Sequence, residues 1–406
     1  MNRSNQLTRR QFTRRLGASA VGIVTAPAMV RALGAAERLT LGVIGCGSRG
    51  KSLMRRAIED GHGQIAVVCD VLPKHRDEAA KAAGRPADAV VDYRTVLDRK
   101  DVDAVFIATP EHQHAAQLIE AVNAGKDVYC EKPLAHTIEE GQAMIKAVRS
   151  TGRVAQVGMQ QRSGPHFLEA RELINSGRLG DIHLVTSYWY QDFTGHQGRK
   201  WPETTGLDWK RFLGSAPWRL LEKEPWRYWD WRYFWDYSGG SLCDNGVHVC
   251  DWVNMMMGDR DAPLSASCTG GSYKITRWDT PDIFSAAFEF ENGWVSNLNF
   301  NYTKHYGLGH FHGTRFLGTN GMLDLSRRGW NFYEKGASEA AEVGETRGLS
   351  GPHVRNFFDC VRSRQEPNAP VEIGHHAGRV AHLGNISYRD QRRVLFDPAT
   401  ERVRGS

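Results

Sequence analysis

Cysteine pairs, long apolar runs and internal repeats are all missing from this sequence, and its first 38 residues hold almost no acid. Seven cysteines (Cys46, Cys69, Cys130, Cys243, Cys250, Cys268, Cys360) form no CxxC pair and are odd in number, which argues against a disulfide framework and a structural zinc site. They read as small buried hydrophobes. The longest uncharged stretch near the start, Leu16 to Val30, is too short and too rich in Ala and Gly for a permanent membrane span. The formal charge of +6 points to an anionic partner only until it is located. Residues 1 to 38 carry seven Arg against one Glu, and the remainder balances at 45 basic against 45 acidic residues. That removes most of the basis for a nucleic-acid partner.

What is there begins with a leader. Arginine-rich residues, the uncharged stretch, and small residues at Ala26-Pro27-Ala28 or Gly34-Ala35-Ala36 follow one another as in a cleaved targeting signal. Thr8-Arg9-Arg10-Gln11-Phe12 resembles a twin-arginine export motif, the route taken by proteins that fold before crossing the membrane. Residues 1–36 are therefore expected to be a signal peptide and the mature protein periplasmic or otherwise exported. Cysteines without a disulfide pattern fit folding in a reducing compartment first.

At 406 residues and 41% hydrophobic, the chain can build two cores. Strand-like runs at Leu39–Ile44, Ile65–Cys69, Ala104–Ala108, Asp127–Cys130 and Val154–Val157 alternate with helical stretches, among them Ala115–Ala124 and Ile138–Ser150. That alternation predicts a doubly wound parallel sheet over residues 37–158. Later runs, Ile182–Tyr190, Ile283–Glu289 and Trp294–Phe300, lack crossover helices and predict an open, predominantly antiparallel sheet in an α+β domain over 159–406. One helix is expected from about Asp244 to Met257.

Gly45-Cys46-Gly47-Ser48-Arg49-Gly50 follows the first strand and opens a helix, and Asp70 ends the second strand twenty residues on. In that setting Gly45 permits a tight turn, Gly47 lets backbone approach a pyrophosphate, and Gly50 lets helix pack on strand. Asp70 would accept hydrogen bonds from ribose hydroxyls and repel a 2′-phosphate, favouring NAD over NADP, although Lys74 and Arg76 stand close behind. Two more segments end strands on the same edge: Thr109-Pro110-Glu111-His112-Gln113-His114, and Glu131-Lys132-Pro133. Lys132 there could orient a substrate oxygen or be a solvated charge. Asp244 and His248, four apart, would share one face of a helix, where a carboxylate could set the imidazole for proton transfer or merely cap the helix.

The glycine motif, Glu131-Lys132-Pro133 and the Asp244/His248 pair together resemble the Gfo/Idh/MocA oxidoreductase family, over nearly all of the chain after the leader. The resemblance implies a Rossmann domain followed by an open sheet that covers the nicotinamide and builds a homo-oligomer. It implies catalytic roles for Lys132 (polarising the substrate oxygen), His248 (proton donor or acceptor) and Asp244 (binding substrate and orienting the imidazole). Gly45, Cys46, Gly47, Ser48, Arg49, Gly50, Asp70, Thr109, Pro110, His112, His114, Glu131 and Lys132 would form the cofactor site. Gln160 and Arg162 would line the cleft, and the peptide before Pro133 is typically cis.

Eight of twelve tryptophans lie between Trp189 and Trp235. Rings such as Trp201, Trp226, Trp229, Trp231 and Trp235 suit the apolar face of a sugar, with one or two, Trp231 foremost, expected to touch it. The His375-His376 pair is read as structural rather than metal-binding. An exported NAD enzyme cannot exchange its cofactor freely, so the cofactor is expected to be tightly bound and restored within each cycle. The favoured reading is an oxidoreductase acting on a sugar alcohol or carbonyl group. A redox-neutral, NAD-dependent glycoside hydrolase and a non-catalytic sugar-binding protein remain alternatives.

Overall fold

The computed structural model describes residues 38–259, 261–303 and 311–404, so the leader lies outside the described residues. The first layer is a parallel sheet built from β1 (Leu39–Ile44), β2 (Gly63–Cys69), β3 (Asp88–Val90), β4 (Ala104–Ile107), β5 (Asp127–Cys130) and β6 (Ala155–Val157). Its strand order is β3-β2-β1-β4-β5-β6, with the reversal between β1 and β4 where a ligand crevice opens. β4 is fully buried on both faces, which explains its unbroken apolar sequence.

Helix α1 (Ser48–Glu59) covers one face with Gly50, Leu53, Met54 and Ala57, a spacing of one helical stripe. After β2, α2 (Pro73–Ala82) and α3 (Tyr93–Leu97) flank β3. Across the sheet lie α4 (Glu111–Asn123) and α5 (Ile138–Thr151), the latter capped by Thr137 Oγ1 accepting from Glu140 N. α4 begins four residues before the expected Ala115. Pro110 fixes the backbone ahead of the helix, and a carboxylate in the first turn favours helix there. Glu111 to His114 are consequently helical and largely buried, not a loop facing solvent.

The second domain opens with α6 (Pro165–Asn175) and β7 (Ile182–Tyr190), followed by a tryptophan-rich segment with two short helices, α7 (Trp209–Leu213) and α8 (Trp226–Trp229). A π-helical turn over Leu242–Gly246 then leads into α9 (Val247–Met257). Strands β8 (Pro263–Gly271), β9 (Ile283–Phe290), β10 (Val295–Asn301), β11 (His312–Gly318), β12 (Gly321–Ser326), β13 (Gly329–Glu334) and β14 (Glu342–Glu345) complete most of a sheet that is antiparallel except where β7 meets β10. One face buries Trp189, Phe288, Phe300, Phe316 and Phe332. The other presents Tyr188, Ser285, Ala287, Asn297 and Asn299, with no layer over it among the described residues.

Two helices close the structure: α10 (Ser350–Ser363) and α11 (Val371–Asp390), the latter running to β15 (Val394–Asp397) and β16 (Arg402–Val403) on the far sheet edge. α10 returns to the first sheet, where Phe357 and Phe358 pack on Phe106 at ring distances of 6.0 and 6.2 Å. His353 bridges Ser163 Oγ and the Val157 carbonyl, both at 2.8 Å, and burial lowers its pKa to about 4. Removing the Phe358 ring leaves a cavity under the parallel sheet, and Phe358→Ala is expected to cost about 3–5 kcal/mol. A urea midpoint that does not move would show that α10 is not part of that core.

Candidate active site

The three glycines divide their labour as their positions require. Gly45 has φ +88°, and a Cβ there would meet the Ala108 backbone carbon at 2.6 Å. At Gly50 a Cβ would lie 1.9 Å from the Gly45 carbonyl oxygen, so only glycine lets α1 sit against β1. Gly47 is the contrast: nothing lies within 4 Å of its missing Cβ. No side chain caps α1, and Gly47, Ser48 and Arg49 line a cleft of about 1130 Å³. A helix terminus open to an empty cradle fits a nucleotide pyrophosphate.

Asp70, on the cleft wall, is held by backbone: Oδ2 accepts from Cys46 N at 2.7 Å and Oδ1 from Leu72 N at 2.8 Å. Each oxygen keeps a lone pair for a ribose hydroxyl. Cys46 itself turns into the core, its Sγ against the Cys69 carbonyl, so only its amide serves the site, through Asp70. Arg76 points its guanidinium at the Asp70 carbonyl, while Lys74 and His75 line the cleft.

Thr109 and Pro110 also line the cleft, with Thr109 Oγ1 donating to Gln117. Of the two histidines expected there, His112 lines the cleft wall and His114 does not. His114 is buried, its ring wedged between the carbonyls of Pro133 (2.8 Å) and Thr109 (2.9 Å), so it braces the two loops against each other. His112 meets the Phe212 carbonyl at 2.8 Å, and burial pushes its pKa down to about 4. Gln113 Nε2 reaches the same carbonyl at 2.9 Å. With Asp208 N donating to Val71 O and Tyr228 Oη 3.4 Å from His75, these contacts lay residues 206–229 across the Asp70 end of the cleft as a strap.

Deeper in, Glu131 stands behind Arg49, paired with its Nε at 2.6 Å, and Arg49 also donates to Gln160 Oε1 at 3.2 Å. Glu131 and Gln160 thus act on the cleft through Arg49. The Lys132–Pro133 peptide is cis. Lys132 Nζ donates to Asp244 twice, to Oδ1 and to the main-chain carbonyl, each at 2.7 Å. Arg232 Nε approaches the same Oδ1 at 3.3 Å. Burial works against the Asp244 charge, but Lys132 and Arg232 outweigh it and hold the carboxyl below its ordinary pKa.

Asp244 therefore does not orient His248. The π-helical turn between them breaks the regular four-residue register, and the carboxylate faces the two cations instead. The imidazole's partner is Gln161: the two donors of Arg327, Nε and Nη2, require the amide oxygen to face them, both at 2.9 Å, and with the amide assigned that way Nε2 donates to His248 Nδ1 at 3.2 Å. An acceptor at Nδ1 places the proton of the neutral ring on Nε2. Burial, and then the charges of Arg327, Lys132 and Arg49, drive the His248 pKa well below 6.5.

Arg162 is a second correction. It is buried in ion pairs with Asp251 (2.6 Å) and Asp259, which with burial opposing still raise its pKa, and no face of it lines the cleft. Of the tryptophans, Trp229 and Trp231 line the cleft, Trp201 stacks behind Trp229, and Trp235 packs by Tyr388 and under Arg389. His375 pairs with Glu401 at 2.9 Å and ties down the C-terminal strands.

Four residues escaped the sequence reading: Arg232, Gln161, Arg327 and Glu111. Arg327 sits in the two-residue turn between β12 and β13, and its neighbour in sequence, Arg328, gave no reason to choose between them. Glu111, wholly buried at the start of α4, accepts from Ser238 Oγ at 2.7 Å and Gly239 N at 3.1 Å, and so holds the loop that leads to Asp244. Burial pushes its pKa up to about 8 despite those hydrogen bonds.

Comparison with known proteins agrees with this architecture. Residues 39–159 match the family described as Oxidoreductase family, NAD-binding Rossmann fold, and residues 167–324 match the GFO/IDH/MocA C-terminal domain. The uncharacterized oxidoreductase YrbE of Bacillus subtilis is 31% identical over 364 residues, 86% of this chain and 94% of that one. Inositol 2-dehydrogenase of Salmonella paratyphi B is 31% identical over 158 residues, a match spanning 38% of this chain and 47% of that enzyme. Levoglucosan dehydrogenase, solved with NADH and levoglucosan, superposes with a TM-score of 0.70 at 23% identity, over 88% of this chain and 99% of that one, a likeness of fold.

Two outcomes follow for the site as built. Gly47→Ala has room for its methyl in the free protein, so stability should hold while nucleotide affinity falls by at least about tenfold; Gly50→Ala should instead lower the melting temperature. Calorimetric titration with NAD alongside thermal melts separates them, and unchanged affinity in Gly47→Ala would move the pyrophosphate elsewhere. For Glu111, the folded-state pKa of about 8 exceeds the ordinary 4.5, so its contribution to stability is complete below pH 4.5 and is lost as pH rises toward 8. Urea unfolding at several pH values should show that decline in the native chain and a flatter profile in Glu111→Gln.

Proposed function

The chain belongs to the Gfo/Idh/MocA oxidoreductase family, and we propose that it interconverts a secondary alcohol and a carbonyl group on a sugar or sugar derivative, with NAD held between turnovers. The observation that carries the reading is the meeting of Lys132, from the nucleotide domain, with Asp244, from the second domain, beside His248 and behind the cleft. NAD, when bound, supplies the hydride acceptor. Lys132 spends two N–H bonds on Asp244 and keeps the third for the substrate oxygen, which its charge polarises. His248, uncharged in the surrounding positive field and carrying its proton on Nε2, presents an N–H donor to that oxygen. Trp229 and Trp231 offer apolar faces to the ring of the sugar.

NAD over NADP is supported by Asp70, fixed on the cleft wall where a 2′-phosphate would meet its charge, and by Arg76 being turned to the Asp70 carbonyl. Retention of the cofactor is supported by the strap of residues 206–229, which must open before a dinucleotide can leave. Such retention suits a protein that folds in the cytoplasm and is exported by the twin-arginine leader read in residues 1–36. The uncovered face of the second sheet supports assembly into a homo-oligomer.

Three variants test the scheme. Lys132→Ala and His248→Ala should each lower kcat by about a hundredfold or more while leaving NAD bound; full turnover in either would sink the assignment. Phe212→Ala, which loosens the strap, should speed NAD release by about tenfold in stopped-flow displacement. Protein purified without its leader should carry NAD through dialysis, and loss of all nucleotide at that step would overturn the retained-cofactor part alone.

A further inference from the structure

The charges around Lys132 and His248 do not balance. Glu131 is spent on Arg49, and Glu111 is held in its protonated form by burial near neutral pH. Asp244 is then left as the single carboxylate for Lys132 and Arg232, which share one of its oxygens. Nearby acids are spent elsewhere: Asp230 on Arg277 and His196, and Asp236 on Arg219. Arg327 makes no ion pair with a carboxylate among the described residues; Asp244, already shared by Lys132 and Arg232, acts on it only at longer range, and its contacts are the Gln161 oxygen and the face of Trp189 at 5.0 Å.

A guanidinium removed from water with no paired carboxylate is costly, and burial, only partly offset by the more distant Asp244, lowers the Arg327 pKa to about 10. Folded proteins keep such a charge where a ligand completes it. Arg232 shows the same opening from the other side. Its side chain is 40% exposed, it lines the cleft, its plane rests on Trp231 at 4.3 Å, and only its Nε reaches Asp244. The two Nη groups of Arg232, and Nη1 of Arg327, are left for an acceptor, and a planar oxyanion suits such donors.

We infer that the substrate carries a carboxylate, as a uronic or aldonic acid does, and that Arg327 and Arg232 receive it beside the reacting carbon. This rests on the proposed oxidoreductase reading and narrows it to acidic sugars. Two positive charges in excess would also draw an anionic substrate through the cleft, whose wall adds Lys51, Arg55, Lys74 and Lys210. Phosphate groups of a nucleotide would sit at the α1 terminus in the first domain, whereas Arg327 belongs to the second.

The test uses matched probes on the NAD-loaded protein: D-glucuronate against D-glucose, D-galacturonate against D-galactose, and D-gluconate against D-sorbitol. Binding is read by tryptophan fluorescence and turnover by NADH formation. At least one acid should bind about tenfold or more tighter than its neutral partner, with the ratio shrinking as salt rises. In Arg327→Gln and in Arg232→Gln the ratio should fall toward about one, and Arg327→Lys should restore part of it. Arg232 is exposed enough that its variant folds even if Arg327→Gln does not. Equal binding of acid and neutral partners in every pair, or a preference surviving both substitutions, overturns the inference. If neutral sugars alone reduce NAD, the oxidoreductase reading stands and this one falls; if Lys132→Ala turns over sugars normally, the parent reading falls first.

Discussion

One ion pair across the two domains sets the geometry of everything else: Lys132, at the end of a parallel strand, held by both the carboxylate and the carbonyl of Asp244 in a π-helical turn of the second domain. Because the turn is wider than an α-helical one, Asp244 faces back toward the nucleotide domain and His248 is released to a different partner. The loop ahead of it is fixed from the same side by Glu111. The nucleotide domain therefore shapes the second domain's reacting groups as well as its own, and neither half contains a complete site.

The contrast between local and distant determinants explains what could be read from residues alone. The glycine turn was legible because its spacing between a strand and a helix is itself a local pattern, and the structure shows the backbone crowding that requires glycine at Gly45 and Gly50, with open space at Gly47. The parallel layer was legible from apolar runs with glycine and acid at their ends. Arg162 was not, since its partners Asp251 and Asp259 lie 89 and 97 residues on and nothing in the sequence couples them. His112 and His114 sit in a motif that opens on the cleft, where His112 lines the wall, yet the early start of α4 turns His114 inward. The Asp244–His248 spacing misled for a subtler reason: a four-residue interval brings side chains together only where the turn between them is regular.

His248 illustrates how a side chain's chemistry can be set by a group that never touches the reactants. Two donors from Arg327 fix which way the Gln161 amide points, that orientation fixes which imidazole nitrogen accepts, and the acceptor fixes where the ring proton sits. The same guanidinium adds to the field that keeps the ring uncharged. A charge placed in a hairpin turn of the second sheet thereby governs both the protonation and the tautomer of a residue in a helix.

The return of α10 to the parallel sheet has a consequence for how the chain is made. Phe357 and Phe358 supply part of the core that buries Phe106 and Tyr129, so a ribosome-bound chain that has emerged only as far as β6 exposes that apolar face. The nucleotide domain cannot finish folding as the first domain synthesised; its completion waits for nearly two hundred further residues, and with them for the whole second sheet. Closure of the two cores is thus a single late event in the making of the chain.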